Sequence, residues 1–179
     1  YSSSSTTMTI SVNAAPDVTD TTVGTVAAGA TSSGDVHNGT IVTDSDDADS
    51  VLVVTAAKAA SEGGSYSTVI NLGHDDNLVT AGTTSSDGLS VTGTYGTLVI
   101  GADGTYTYTA SATNNISHGS TATDTFTFTT RDDETASGSF AYDVGTITFT
   151  VASSGSAPVA RNDTGNINEG GTLTVSNSS

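Results

Sequence analysis

Polar and apolar residues alternate with a period of two along much of this chain. Asp124-Thr125-Phe126-Thr127-Phe128-Thr129 sets two phenylalanines on one face and threonines on the other. Thr105-Tyr106-Thr107-Tyr108-Thr109 does the same with tyrosine. Ile147, Phe149 and Val151 share a face, as do Met8, Ile10 and Val12. Successive side chains of a strand point to opposite faces, so each run predicts a β-strand with one covered side. Val51-Leu52-Val53-Val54 is apolar throughout and predicts a strand covered on both sides. Turn residues separate these runs. Gly101-Ala102-Asp103-Gly104 lies between two of them, and its Asp-Gly step predicts a hairpin with positive φ. Asp87-Gly88 and Gly63-Gly64 are further breaks. Thr55 to Glu62 is the one helical candidate, a turn or two ending at Gly63. Many short strands punctuated by turns predict an all-β fold, an antiparallel β-sandwich.

The alternation also repeats on a longer scale. Thr7-Met8-Thr9-Ile10-Ser11-Val12 reads like Thr146-Ile147-Thr148-Phe149-Thr150-Val151. Each segment is followed by an Ala-Pro step, at Ala15-Pro16 and Ala157-Pro158. The echo returns after roughly 140 positions, which marks an array of similar units. On this reading residues 1–12 are the terminal strand of a preceding repeat and 13–152 a complete one. Residues 153–179 are a linker, flexible at Ser153-Ser154-Gly155-Ser156, and the first strands of the next repeat.

Charge narrows the function. Three Lys and Arg stand against 19 Asp and Glu in 179 residues, a formal charge of −16. Nucleic-acid binding depends on Lys and Arg neutralising phosphates, and anionic lipid attracts the same residues, so both classes are excluded. No apolar run approaches the roughly 20 residues of a membrane helix, so no membrane insertion is expected. Cysteine is absent, so no disulfide staples the fold. Crowded carboxylates repel one another, and bound cations would relieve that repulsion.

Several stretches resemble the VCBS repeat, a cadherin-like module of large bacterial extracellular adhesins. Gly93-Thr94-Tyr95-Gly96-Thr97-Leu98 running into Ala102-Asp103-Gly104-Thr105-Tyr106-Thr107-Tyr108 is the nearest stretch. Thr123-Asp124-Thr125-Phe126-Thr127-Phe128 followed by Asp132 resembles the family's late strand and acidic turn. Ala157-Pro158-Val159-Ala160, Asn162-Asp163-Thr164-Gly165 and Asn168-Glu169-Gly170-Gly171 resemble its opening. Thr55 to Thr84 departs from the pattern. The resemblance implies a cell-surface or biofilm protein, secreted and dependent on calcium. It implies as partners neighbouring copies of the repeat and, for adhesion, a cell-surface or matrix glycan.

Asp44-Ser45-Asp46-Asp47-Ala48-Asp49 is the densest acidic run. Calcium takes about six to eight hard oxygen ligands, and Asp at alternate positions can aim several from one loop. The run is not an EF-hand, which needs Gly where Asp49 stands and Glu where Thr55 stands. The cadherin-like pattern implies Asp44, Asp46 and Asp49 as ligands from one loop. Asp132, with Asp133 and Glu134, would come from another. Asp17 and Asp20 would join an inter-module site, with Asp163 and Glu169 their counterparts in the next module. Against this stands the simpler reading of solvated loop charges.

No enzymatic chemistry is expected. His37, His74 and His118 are scattered, and His74-Asp75-Asp76 has no nucleophile motif beside it. The absence of Trp and scarcity of other aromatics weaken both a glycosidase and a sugar-binding reading. The leading expectation is therefore a structural, calcium-rigidified repeat. The alternative is a filament subunit in which Thr7–Val12 or Thr172–Val175 adds a strand to a neighbour's sheet.

Overall fold

Among the described residues the chain forms ten strands. The structure, a computed structural model, describes residues 14–45, 52–59, 78–132, 140–155 and 169–172. In chain order the strands are β1 (Asp17–Val18), β2 (Thr21–Val26), β3 (Thr31–Asp35), β4 (Val42–Thr43) and β5 (Val53–Ala59). They continue as β6 (Leu89–Thr92), β7 (Gly96–Ile100), β8 (Thr105–Ala110), β9 (Thr121–Arg131) and β10 (Tyr142–Ala152). There is no helix among the described residues. One four-stranded sheet runs β2-β10-β9-β5, a second β3-β8-β7-β6, and β1 pairs with β4.

The two larger sheets share one core. Phe149 of β10 stacks on Tyr108 of β8, ring centroids 4.1 Å apart and planes nearly parallel. Phe126 and Tyr106 meet Phe149 edge-on at 6.0 and 5.8 Å. Leu98, Ile100, Phe128, Ile147 and Val151 complete the interior and are fully buried. The faces expected from the alternation are the faces that pack. Burying such aromatics supplies most of the drive to fold in a chain only 34% hydrophobic.

The threonine face of β9 behaves differently. Thr127 and Thr129 are fully buried as well, so β9 has two covered sides where its alternation suggested one. Beside them Thr125 and Thr148 bond hydroxyl to hydroxyl across β9 and β10 at 3.0 Å.

Four further expectations change. One pair is parallel: β10 runs alongside β2, with Thr21 opposite Ile147 and Val26 opposite Val151. A parallel pair needs a long connection, and here the chain between β2 and β10 is nearly the whole domain. The helix expected from Thr55 is instead strand. β5 pairs with β9, and Ala56 and Ala57 are buried there. Sheet pairing overrides the helical preference of alanine. Residues 60–62 and Gly63 lie outside the described residues. Ser153 to Gly155 is strapped down rather than loose, as described below. Leu52 and Val54 are buried while Val53 is half-buried, so the apolar run is covered more on one side. Val51 is outside the described residues, as is the whole of Thr7–Val12.

The β7–β8 hairpin forms where expected. Gly101 N donates to Thr105 O at 2.9 Å, and Gly104 has φ of 87°. A Cβ on Gly104 would also meet His37 Nδ1 at 2.6 Å, so glycine is required twice over.

Candidate functional site

Parallel pairing of β2 and β10 places the chain's entry and exit at opposite ends of the same sheet. Entry is at Ala14–Val18, beside the start of β10, and exit is at Ser153–Gly155, beyond its end. From Asp143 to Ala152 a strand spans about 30 Å. Asp17, Asp20, Asp44, Asp132 and Asp143 lie at the entry end.

Two carboxylates clasp that end reciprocally. Val18 N donates to Asp143 Oδ2 at 2.8 Å, and Thr146 N donates to Asp20 Oδ1 at 2.7 Å. The clasp closes just before the β2–β10 ladder begins. Gly145 makes room for it, because a Cβ there would run into the Val18 side chain. β1 then lies on β4 with Asp17 opposite Thr43, so Asp44 follows one residue beyond the pair. Asp132 closes the end of β9. It is fully buried, its N–H donates to Ala141 O at 3.2 Å, and Ala141 N–H reaches both its oxygens at 3.1 Å. Next to it the Arg131 guanidinium sits 3.9 Å over the Phe140 ring, a cation–π contact beside the acidic end.

A further carboxylate lies in the core, opposite Phe149 on β10. Asp124 is 3% exposed and accepts from Thr94 N, Tyr95 N and the Tyr108 hydroxyl, the last at 2.8 Å. A Cβ on Gly93 would meet Asp124, and one on Gly96 would meet Tyr108. The Gly-Thr-Tyr-Gly string is thus a cradle for one buried carboxylate. Burial, then the hydrogen bond to Asp124 and its negative charge, hold the Tyr108 phenol protonated far above the usual tyrosine range. Burial also raises Tyr106, helped by the charge of Asp35.

The expected ligands divide accordingly. Asp17, Asp20, Asp44 and Asp132 all belong to the entry end, where Asp143 joins them. Asp17 and Asp20 are exposed, Asp44 is half-buried and Asp132 is buried. Glu169 is exposed in a turn. Asp46, Asp49, Asp133, Glu134 and Asp163 lie outside the described residues. Among the described residues no three Asp, Glu or His side chains come close enough to hold a metal ion. The available donors are hard oxygens of the kind calcium takes, but Asp20 and Asp132 already accept backbone N–H groups. A cation there would share oxygens that also hold strands.

The alternation itself carries a signal for Asp124. Asp124 falls on the same face as Phe126 and Phe128, and a carboxylate on a core face must find donors. Asp143 had no such signal, because its partner Val18 is far away in sequence. His37 comes within 2.9 Å of the Thr130 hydroxyl through Nε2, but both residues are buried, so the pair is sealed from any substrate.

The exit end is tied without carboxylates. Asn114 Nδ2 donates to Ala152 O at 3.0 Å, and Asn114 Oδ1 accepts from Ser154 N at 3.0 Å. Ser153 N donates to Ser120 O, and His118 Nδ1 lies 2.7 Å from Gly155 O. The β8–β9 loop therefore holds the departing chain in a set direction. No protein-family model matches the chain, and no curated protein matches it.

Proposed function

We propose that this chain is a non-enzymatic β-sandwich repeat of the cadherin-like kind, part of an extracellular bacterial adhesin or surface fibre. In this reading modules supply length, and calcium at the acidic end neutralises the carboxylates and stiffens the junction with the preceding module. The observation that carries the reading is the placement of entry and exit at opposite ends of one sheet, each tied down. Such a unit extends a chain instead of folding it back. Asp17 and Asp44 are the described carboxylates best placed to meet a cation at the junction, with Asp46 and Asp49 next in sequence. When bound, calcium would supply charge neutralisation and oxygen cross-linking.

Melting the whole chain with calcium and with chelator tests the metal. At calcium a hundredfold above its Kd the melting temperature rises by about 5–10 °C. An unchanged melting temperature would count against calcium and leave the structural role standing.

A second reading is a filament subunit joined by strand addition. Its support is an open groove of about 260 Å³ between the edge strands β2 and β3, lined by Val23, Val26, Ala27 and Ala30. β2 is bulged at Gly24, a feature that discourages edge pairing and weighs against this reading. Sedimentation of the chain with and without residues 1–12 separates the two readings, since strand addition requires assemblies that vanish on truncation.

A further inference from the structure

We propose that the β2–β10 ladder is a shear latch that makes the module bear tension, with Asp20 and Asp143 as its locking pair. The fibre reading supplies only the direction of load, and the latch needs neither calcium nor any particular host. β2 and β10 are the first and last strands of the larger sheets, and they run parallel. Tension on the chain ends draws the start of β2 one way and the end of β10 the other, along their common axis. All five registered positions, Thr21↔Ile147 to Val26↔Val151, are then loaded together. If the same strands were peeled from one end, their bonds would break singly.

The rest of the geometry directs failure to this ladder. On its other side β10 is registered to β9 at eleven positions, so the shorter β2 ladder is the weaker shear line. Before tension reaches it from the entry side, it must break Val18 N–Asp143 and Thr146 N–Asp20. These are hydrogen bonds to carboxylates, the stronger class. They join residues on opposite sides of the sliding plane. From the exit side, the Asn114–Ser154 strap passes the pull onto the β8–β9 loop as well as β10. Val18 wedged at Gly145 adds a steric stop to the same sliding motion.

The chain has no cysteine, so engineered cysteine handles report only where they are placed. Single-molecule pulling is done in two geometries, one with handles at the chain ends and one with handles at Thr19 and Phe140. The second pair lies at the entry end and peels β2 from β10. The latch requires the end-to-end rupture force to exceed the peeling force by about two-fold or more at equal loading rate. Asp20→Ala combined with Asp143→Ala lowers the end-to-end force. Asp87→Ala removes a carboxylate that serves only its own turn at Thr84 and leaves that force unchanged. Equal forces in the two geometries would overturn the latch, as would clasp variants that match the parent end to end. The geometry comparison uses the parent sequence apart from its handles, so it stands even if the clasp variants fold poorly. Failure here leaves the calcium melt and the truncation test untouched.

Discussion

At the entry end the chain is held by carboxylates, at the exit end by an amide and hydroxyls. Asp20, Asp143 and Asp132 take backbone N–H groups at entry, while Asn114, Ser153 and Ser154 exchange neutral bonds at exit. Both solutions satisfy the orphan donors and acceptors of strand ends, which cannot be left bare. They differ in what else they respond to. Carboxylate bonds are stronger singly, but each brings a negative charge into a chain already at −16. The entry end is therefore the one whose strength should respond to ionic strength, while the Asn114 and serine bonds of the exit end should not. In an array the indifferent end of one module would face the responsive end of the next.

The comparison assumes that both ends belong to one cooperative unit, and Phe149 is where that can be broken. It joins the two sheets through its stack on Tyr108 and its edges to Phe126 and Tyr106. Phe149→Ala should cost about 3–5 kcal/mol, read from the urea midpoint. Tryptophan is absent, so tyrosine fluorescence and circular dichroism are the probes, and they should move together in one transition. Two separated transitions would mean that the ends melt independently.

A carboxylate outside the entry end sharpens the contrast, because Asp124 is sealed from solvent. Its partner Tyr108, with Tyr106, stays protonated in the folded chain above the unfolded tyrosine value of about 10. Below that value both states carry the proton and pH has no effect through these groups. Above it the unfolded chain sheds protons that the folded chain keeps, so stability falls as pH rises. The loss approaches about 1.4 kcal/mol per pH unit for Tyr108, and Tyr106 adds to it in the same direction. Urea midpoints between pH 8 and pH 11.5 should show it, and Tyr108→Phe should flatten the slope without abolishing it, leaving Tyr106. A slope identical to the parent's would remove Tyr108 from this role.

How far the sequence reached follows the same division. Strands were legible where a face is decided locally, as in Phe126/Phe128, Tyr106/Tyr108 and Ile147/Phe149/Val151, because period two is a property of neighbouring residues. The β7–β8 turn was legible for the same reason. The β5 segment was misread because Ala56 and Ala57 favour helix by themselves and become strand only against β9. The parallel β2–β10 pair, the Asp20–Asp143 clasp and the Asn114 strap join residues far apart in the chain, and no local pattern announces them. At the acidic end, residue type pointed to Asp17, Asp20, Asp44 and Asp132 but not to their common location. That location is set by the β1–β4 and β9–β10 pairings.

The smallest effect tests the exit end alone. Asn114→Ala removes the bonds to Ala152 O and Ser154 N but leaves the sheets untouched. The exit segment is at the surface, where water replaces much of what is lost, so the global cost should be about 1 kcal/mol. The informative readout is local. Hydrogen exchange at Ser153 and Ser154 should accelerate, while Val18 and Thr146 at the clasp keep the parent's protection. Raising ionic strength on the parent should act at the other end, slowing exchange at Val18 and Thr146 by screening the negative charge around the clasp and leaving Ser153 and Ser154 unchanged. Screening acts on charges and barely touches an amide–carbonyl bond. If salt and Asn114→Ala moved the same amides, the two ends would be one network, and the distinction between a responsive and an indifferent end would fall.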